Sequence, residues 1–379
     1  MEVDQILGKL VSIKSSFGNE KAIGAYLESY LKEMGFKTKR QYFEKERFNV
    51  FAERGLGSKS MLLYGHFDTV PQYGDWQTNP YRLTRKSDRL YGLGAFDMKG
   101  GIAAMLKGLE QESNMKIKVL LCGDEENISK GAWHAVIKSR RWFDDVQFAI
   151  AGEAGVTHEN DGGIGIVTLG RRGRCVITID VEGISSHGAE PERGLSALDQ
   201  AAKIATTANE IMTRTSNKLG SESIFINEIH SSSTSLSVPD RAYLNIDIHL
   251  VPPSTPEEAT LRIEKHVKSL IKRGILDRRI KFRVHIQKRD TPYLNPYVVS
   301  EKNHYAKKII GLAAKRAGRK ISISYGQSVA DENVLANALK VPVITVGPQG
   351  GNEHSANEWV SKSSLIEIAE LFGDVVKSV

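Results

Sequence analysis

Apolar positions along the chain fall into two periods. Near the start, Ile6, Leu10 and Ile13 recur at helical spacing, and residues 20–34 predict a second helix that Gly35 ends. Between helical stretches lie short apolar runs at 61–63, 117–122, 148–151 and 341–346, which predict buried strands. Residues 102–109 form a further apolar helix. The alternation over residues 1 to about 172 is that of a mixed α/β sheet, mostly parallel, with covering helices. Past Gly170-Arg171-Arg172-Gly173 the pattern changes. Strand 175–181, helix 195–213, strands 223–229 and 241–250, helix 256–272 and strand 280–287 spell β-α-β-β-α-β, a split βαβ unit. The chain then returns to the first pattern near Leu294, with a helix over 300–317. The expectation is a discontinuous domain, 1–172 and 291–379, interrupted by an α+β domain at 173–290. A length of 379 residues suits two cores.

The predicted strands end in chemistry. Run 61–63 leads into Tyr64-Gly65-His66-Phe67-Asp68-Thr69-Val70-Pro71, where His66 and Asp68, two apart, share a face of an extended chain. A metal-ligating histidine usually donates its second ring nitrogen to a carboxylate, which fixes tautomer and orientation. Asp97 lies in the glycine-dense loop Gly92-Leu93-Gly94-Ala95-Phe96-Asp97-Met98-Lys99-Gly100-Gly101. Strand 117–122 ends in Gly123-Asp124-Glu125-Glu126, strand 148–151 in Gly152-Glu153, and strand 341–346 in a loop reaching Glu353-His354. In open α/β sheets, ligands and metals gather at the carboxyl ends of strands. Solvated acidic loops account for one such strand end and not for four with an aspartate-bearing glycine loop beside them.

These motifs, Gly-His-x-Asp-x-Val-Pro at 65–71, the Asp-Met-Lys-Gly loop at 97–100 and Asp-Glu-Glu at 124–126, resemble those of the di-zinc amidohydrolases. That family includes acetylornithine deacetylase, succinyl-diaminopimelate desuccinylase, aminoacylase and glutamate carboxypeptidase, and the resemblance covers nearly the whole chain. It implies a zinc-peptidase-like catalytic domain with an inserted ferredoxin-like lid that also carries dimer contacts. It implies that His66, Asp97 and Glu153 hold one zinc ion, and that Asp97 as a bridge, Glu126 and His354 hold a second, with cobalt or manganese as substitutes. Glu125 would be the general base and Asp68 would orient His66. His187, in Ser185-Ser186-His187-Gly188, would reach the partner subunit's site and polarise the scissile carbonyl. Glutamate at position 153 is similar to the deacylase and carboxypeptidase members. The implied activity is release of an amino acid from an N-acyl amino acid, with a carboxypeptidase or dipeptidase acting on short peptides as the alternative.

The lid departs from the family pattern. Where many members carry Asp-x-Arg for the substrate carboxylate, this chain has Asp247-Ile248-His249, and Leu236-Ser237-Val238-Pro239 lacks the usual asparagine. The candidate substrate contacts are therefore Arg241, His249 and Ser328, with Arg171, Arg172 and Arg174 as further basic candidates and the helix start after Ser328 as an anion site. The remaining histidines, His134, His158, His230, His266, His285 and His304, read as structural.

Composition narrows the function classes. The net charge is +7, but 52 Lys and Arg are scattered among 45 Asp and Glu without a long basic run, so no nucleic acid partner is expected. No apolar run approaches the ~18 residues that span a bilayer, so no membrane association is expected. Two cysteines, Cys122 and Cys175, sit in different predicted strands and read as reduced core residues. The acidic, helically spaced start is unlike a signal peptide, and the reading is a cytoplasmic enzyme. A non-catalytic binding relative would have lost a ligand or Glu125, and all are present. A phosphate-ester hydrolase would need a basic cradle beside the metals, for which Lys99 is the visible candidate.

Overall fold

The computed structural model describes residues 1–153, 164–233 and 236–379. It divides into two compact units, one of Met1–Gly170, Val298–Tyr325 and Ala330–Val379, the other of Arg171–Tyr297 and Gly326–Val329.

The first unit is built on a mixed sheet whose centre is parallel. Ser60–His66 pairs in parallel with Lys116–Cys122 on one side and Val146–Ala151 on the other, and Val343–Thr345 extends the parallel set beyond Val146–Ala151. Phe48–Arg54 and Lys37–Tyr42 add antiparallel strands at one edge. Every residue of Ser60–His66 is buried, as expected of a strand covered on both faces. In register, His66 stands opposite Cys122, and Tyr64 opposite Ala151. The four parallel strands thus finish at one edge, where their following loops meet.

One helix and one loop press on the strand ends. Lys99–Gly108 is buried along nearly its whole length, and its first turn presses on the backbone after Val146–Ala151. A Cβ on Gly101 would stand 1.6 Å from the carbonyl oxygen of Gly152, and a Cβ on Gly347 1.8 Å from that of Glu153. Only glycine permits that approach from both sides.

The second unit has its own core. Its four-stranded antiparallel sheet runs in the order Ser223–Ser231, Arg241–Leu250, Gly173–Glu182, Lys281–Ile286. Helices Ala197–Thr206 and Pro256–Lys272 bury Ile204, Ile263, Val267 and Leu270 against Ile177, Ile179, Leu244 and Ile246. A buried pair crosses this core. Arg262 donates to Glu222 at 2.6 and 3.0 Å, and the Arg214 backbone N–H donates to the same carboxylate at 2.9 Å.

Helices depart from the sequence expectation at two places. The helix expected over 195–213 spans only Ala197–Thr206, started by the Ser196 hydroxyl accepting the Asp199 N–H. It stops where Thr207 turns its hydroxyl onto the Lys203 carbonyl at 2.9 Å, the local bonding by which such residues compete with a helix. The helix expected from residue 300 begins at His304, because Asn303 caps the N–H groups of Tyr305 and Ala306. Among the described residues, no helix is long and apolar enough to cross a membrane.

Candidate metal centre

His66 closes the central strand and is fully buried. Its Nδ1 lies 3.2 Å from the Asp68 backbone carbonyl and 3.5 Å from the Asp68 carboxylate. That arrangement places the Nδ1 proton toward Asp68 and leaves Nε2 to face the cavity. Nε2 stands 3.1 Å from Oδ1 of Asp97 and 3.5 Å from Oε2 of Glu153. The other oxygen of Asp97, Oδ2, is 3.4 Å from Nε2 of His354, which is itself 3.0 Å from Oε2 of Glu126. Two triads therefore share one carboxylate, each through its own oxygen.

Asp68 also sets the second wall. Its carboxylate accepts the backbone N–H of Glu125 at 3.3 Å and of Glu126 at 3.1 Å. Just before them, Asp124 is fully buried with φ of +74°, pinned by Arg47 at 2.6 Å and by the Lys130 N–H at 3.0 Å. Arg47 is held in turn by the buried Glu20. Tyr64, two residues before His66, donates its hydroxyl to the fully buried Asp331.

The donor set fits divalent zinc. Ligand atoms around one tetrahedral zinc stand about 3.4 Å apart, close to the four N···O distances here. The charge balance agrees. Burial pushes Glu153 up to about 7, with Asp97 adding to the effect, and burial raises Glu126. Contacts with Asp97 and Glu126 push His354 up to about 11. Such residues hold protons that a divalent cation would displace. Glu125 is raised well above the ordinary carboxylate range by burial and by Asp331, Glu153 and Glu126, with His66 opposing.

The structure thus brings His66, Asp68, Asp97, Glu125, Glu126, Glu153 and His354 together in the first unit. His187, Arg241, His249 and Ser328 belong to the second. There, the Ala189 N–H donates to Nδ1 of the exposed His187 at 3.1 Å, so a neutral ring carries its proton on Nε2. Arg174 grips the buried Asp247 through Nε at 3.0 and 3.1 Å and is committed to that pairing. His249, opposite Arg174 in register, is lowered by burial. Ser328 is exposed and lies 3.4 Å from Nη1 of Arg171. Arg241 lines an open pocket with Asp180, Asp240, Lys281 and Arg283, a mixture of signs.

The reading of the helix after Ser328 as an anion site meets a physical objection. Helix Asp331–Leu339 opens with Asp331 and Glu332, both fully buried, so its N-terminal dipole already faces two acidic side chains. Lys99 is buried and its Nζ donates to the Ile13 carbonyl at 3.0 Å, so it offers no phosphate cradle. His158 lies outside the described residues.

The sheet thus carries two triads, each able to hold a metal ion. A model of Peptidase family M20/M25/M40 matches residues 62–378, and the chain belongs to that family of metallopeptidases and amidohydrolases. It is 26% identical to a succinyl-diaminopimelate desuccinylase of Vesicomyosocius okutanii subsp. Calyptogena okutanii, over 98% of this chain and 97% of that one. It is 34% identical to an acetylornithine deacetylase of Photorhabdus laumondii over 50% of this chain and 47% of that one. Among solved structures, an M20 metallo-carboxypeptidase from Sulfolobus solfataricus shares the fold, with a TM-score of 0.77 at 18% identity over 99% of this chain and 98% of that one.

Proposed function

We propose that the chain hydrolyses the amide bond of an N-acyl amino acid at a two-zinc centre, releasing the free amino acid. The observation that carries this reading is Asp97, whose two oxygens face two different histidines. His66, Asp97 and Glu153 would hold one ion, and Asp97, Glu126 and His354 the other. When bound, the ions would polarise the scissile carbonyl and lower the pKa of the attacking water toward neutrality. Glu125 takes the proton as the water oxygen bonds to the carbonyl carbon. It then delivers that proton to the amide nitrogen as the C–N bond breaks, so the products are a carboxylic acid and an amine. Asp68 orients His66 and fixes the turn that presents Glu125 and Glu126.

In this reading the inserted unit is a lid and dimerisation domain over 173–290. His187 supplies an Nε2–H donor to the developing oxyanion in the partner subunit of a homodimer. The tautomer fixed by the Ala189 N–H supports that role. Arg241, His249 and Ser328 are the proposed substrate contacts. A cytoplasmic location is part of the proposal, supported by two free, buried cysteines.

The names of the curated relatives favour a deacylase; the carboxypeptidase neighbour keeps short peptides as the second substrate class. The test is turnover by mass spectrometry of N-acetyl and N-succinyl amino acids beside blocked dipeptides, with added zinc or cobalt and a chelated control. Metal-dependent release of a free amino acid from an acylated substrate supports the proposal. Consumption of dipeptides alone replaces it with the peptidase reading.

A further inference from the structure

The loop that carries Asp97 has no regular structure of its own to hold it, yet four of its N–H groups converge on one distant residue. Glu358 is 2% exposed and separated from that loop by more than 260 residues of sequence. Its Oε2 accepts the Gly94 N–H at 2.7 Å, and its Oε1 accepts the N–H groups of Phe96 at 2.8 Å and Asp97 at 2.9 Å. Its backbone carbonyl accepts the Gly92 N–H at 3.1 Å. Successive N–H groups turned toward one point make an anion-binding concavity, and here the chain's own carboxylate fills it.

The residue type is dictated by the donors. Three N–H groups need acceptors at both side-chain oxygens, which a carboxylate supplies and an amide cannot, since its nitrogen would meet the Gly94 N–H donor to donor.

Position gives the arrangement its consequence. Glu358 follows His354 by four residues, at the entry to strand Trp359–Ser361, which pairs with Arg89–Tyr91 just before the Asp97 loop. One end of this tie is the backbone of the ligand shared by both triads, and the other lies in the segment that carries His354. A metal ligand must be held within about 0.5 Å of its working place by the groups behind it.

We propose that Glu358 is a positioning residue of the two-metal centre. By gathering the N–H groups of Gly94, Phe96 and Asp97, it fixes the shared carboxylate relative to His354 and so sets the affinity for the second ion. The proposal rests on the two-metal reading above. Groups that orient metal ligands typically change affinity about 10–100-fold when removed.

The test is titration of the metal-stripped protein with Co2+, followed by visible absorption and by bound-metal stoichiometry, in the unsubstituted chain, Glu358→Ala and Glu358→Gln. Glu358→Ala should bind its weaker cobalt about 10–100-fold less tightly, with an altered d–d spectrum, and its lost activity should return as cobalt is raised. Glu358→Gln, which keeps Oε1, should fall between. A residue that merely stabilises the loop would lower thermal stability and leave cobalt affinity and spectrum in place. Parental cobalt binding in Glu358→Gln and in any folded Glu358→Ala overturns the proposal. Failure of the unsubstituted chain to take up two ions overturns the two-metal reading, and this inference with it.

Discussion

The carboxylate of Asp68 receives the backbone N–H of Glu126 at 3.1 Å, while its own main-chain carbonyl stands 3.2 Å from Nδ1 of His66. One residue thus spaces a histidine on one strand end against a carboxylate on the next. Asp68→Asn keeps the shape but turns an amide nitrogen toward one of the two N–H donors. Turnover should fall about 10–100-fold, the usual effect of disturbing a group that orients metal ligands. Steady-state kinetics with metal analysis would check it, and unchanged kcat would remove the orienting role.

Glu125→Gln tests the proton carrier. The amide cannot accept a proton from water, so kcat should drop about 10²–10⁴-fold, the range of general acid–base catalysis. Because Glu125 is outside both triads, bound metal should stay at the parental level. If metal and activity vanish together, Glu125 is a ligand and not the base.

Acid stability of the inserted unit should follow Glu222. Burial alone would raise its pKa, but Arg262 and the Arg214 N–H overcome this and hold it below the ordinary value. A lowered folded pKa means the contribution is complete above the unfolded carboxyl's ~4.3 and is lost as pH falls through the folded value. Glu222→Gln leaves Arg262 buried without its counter-charge, and should destabilise the unit by about 3–5 kcal/mol at neutral pH. Its stability curve should also be flatter below pH ~4.3 than the parent's. Denaturant melts across pH read both effects.

Gly101 and Gly311 both lie in helices and should respond oppositely to alanine. At Gly101 the added carbon collides with the Gly152 backbone and displaces Glu153, so a loss of about 1–3 kcal/mol with weakened cobalt binding is expected. Nothing lies within 4 Å of a Cβ at Gly311, where alanine should add up to about 1 kcal/mol of helix stability. Thermal melts of the two variants would separate packing from propensity.

The candidate ligands were legible because each sits in a loop with a local signal, the end of an apolar strand for His66, Glu126, Glu153 and His354 and a glycine-dense loop for Asp97. His66, Asp97, Glu126, Glu153 and His354 all have such a signal. The groups behind them were not. Arg47 meets Asp124 across 77 residues, and Tyr64 meets Asp331 across 267. No periodicity marks a charged or phenolic side chain that is buried only because a remote partner satisfies it. Arg174 in the second unit is a similar case: the sequence offers it as a basic candidate, and its partner Asp247 lies 73 residues away. Helix ends failed where a side chain, Thr207 or Asn303, redirected the backbone.

The insertion of one compact unit into the other bears on how the chain assembles. Glu153 and His354 must meet across a sequence separation of about 200 residues, most of it Arg171–Tyr297. If that stretch condenses first around its own core, the flexible tether left between the two ligand-bearing loops shrinks to about 75 residues. Loop-closure entropy grows only as the logarithm of length, so the gain is about 0.9 kcal/mol, roughly a fivefold higher chance of encounter. The inserted unit would then act as a built-in clasp, drawing the late-made half of the candidate metal centre toward the early half.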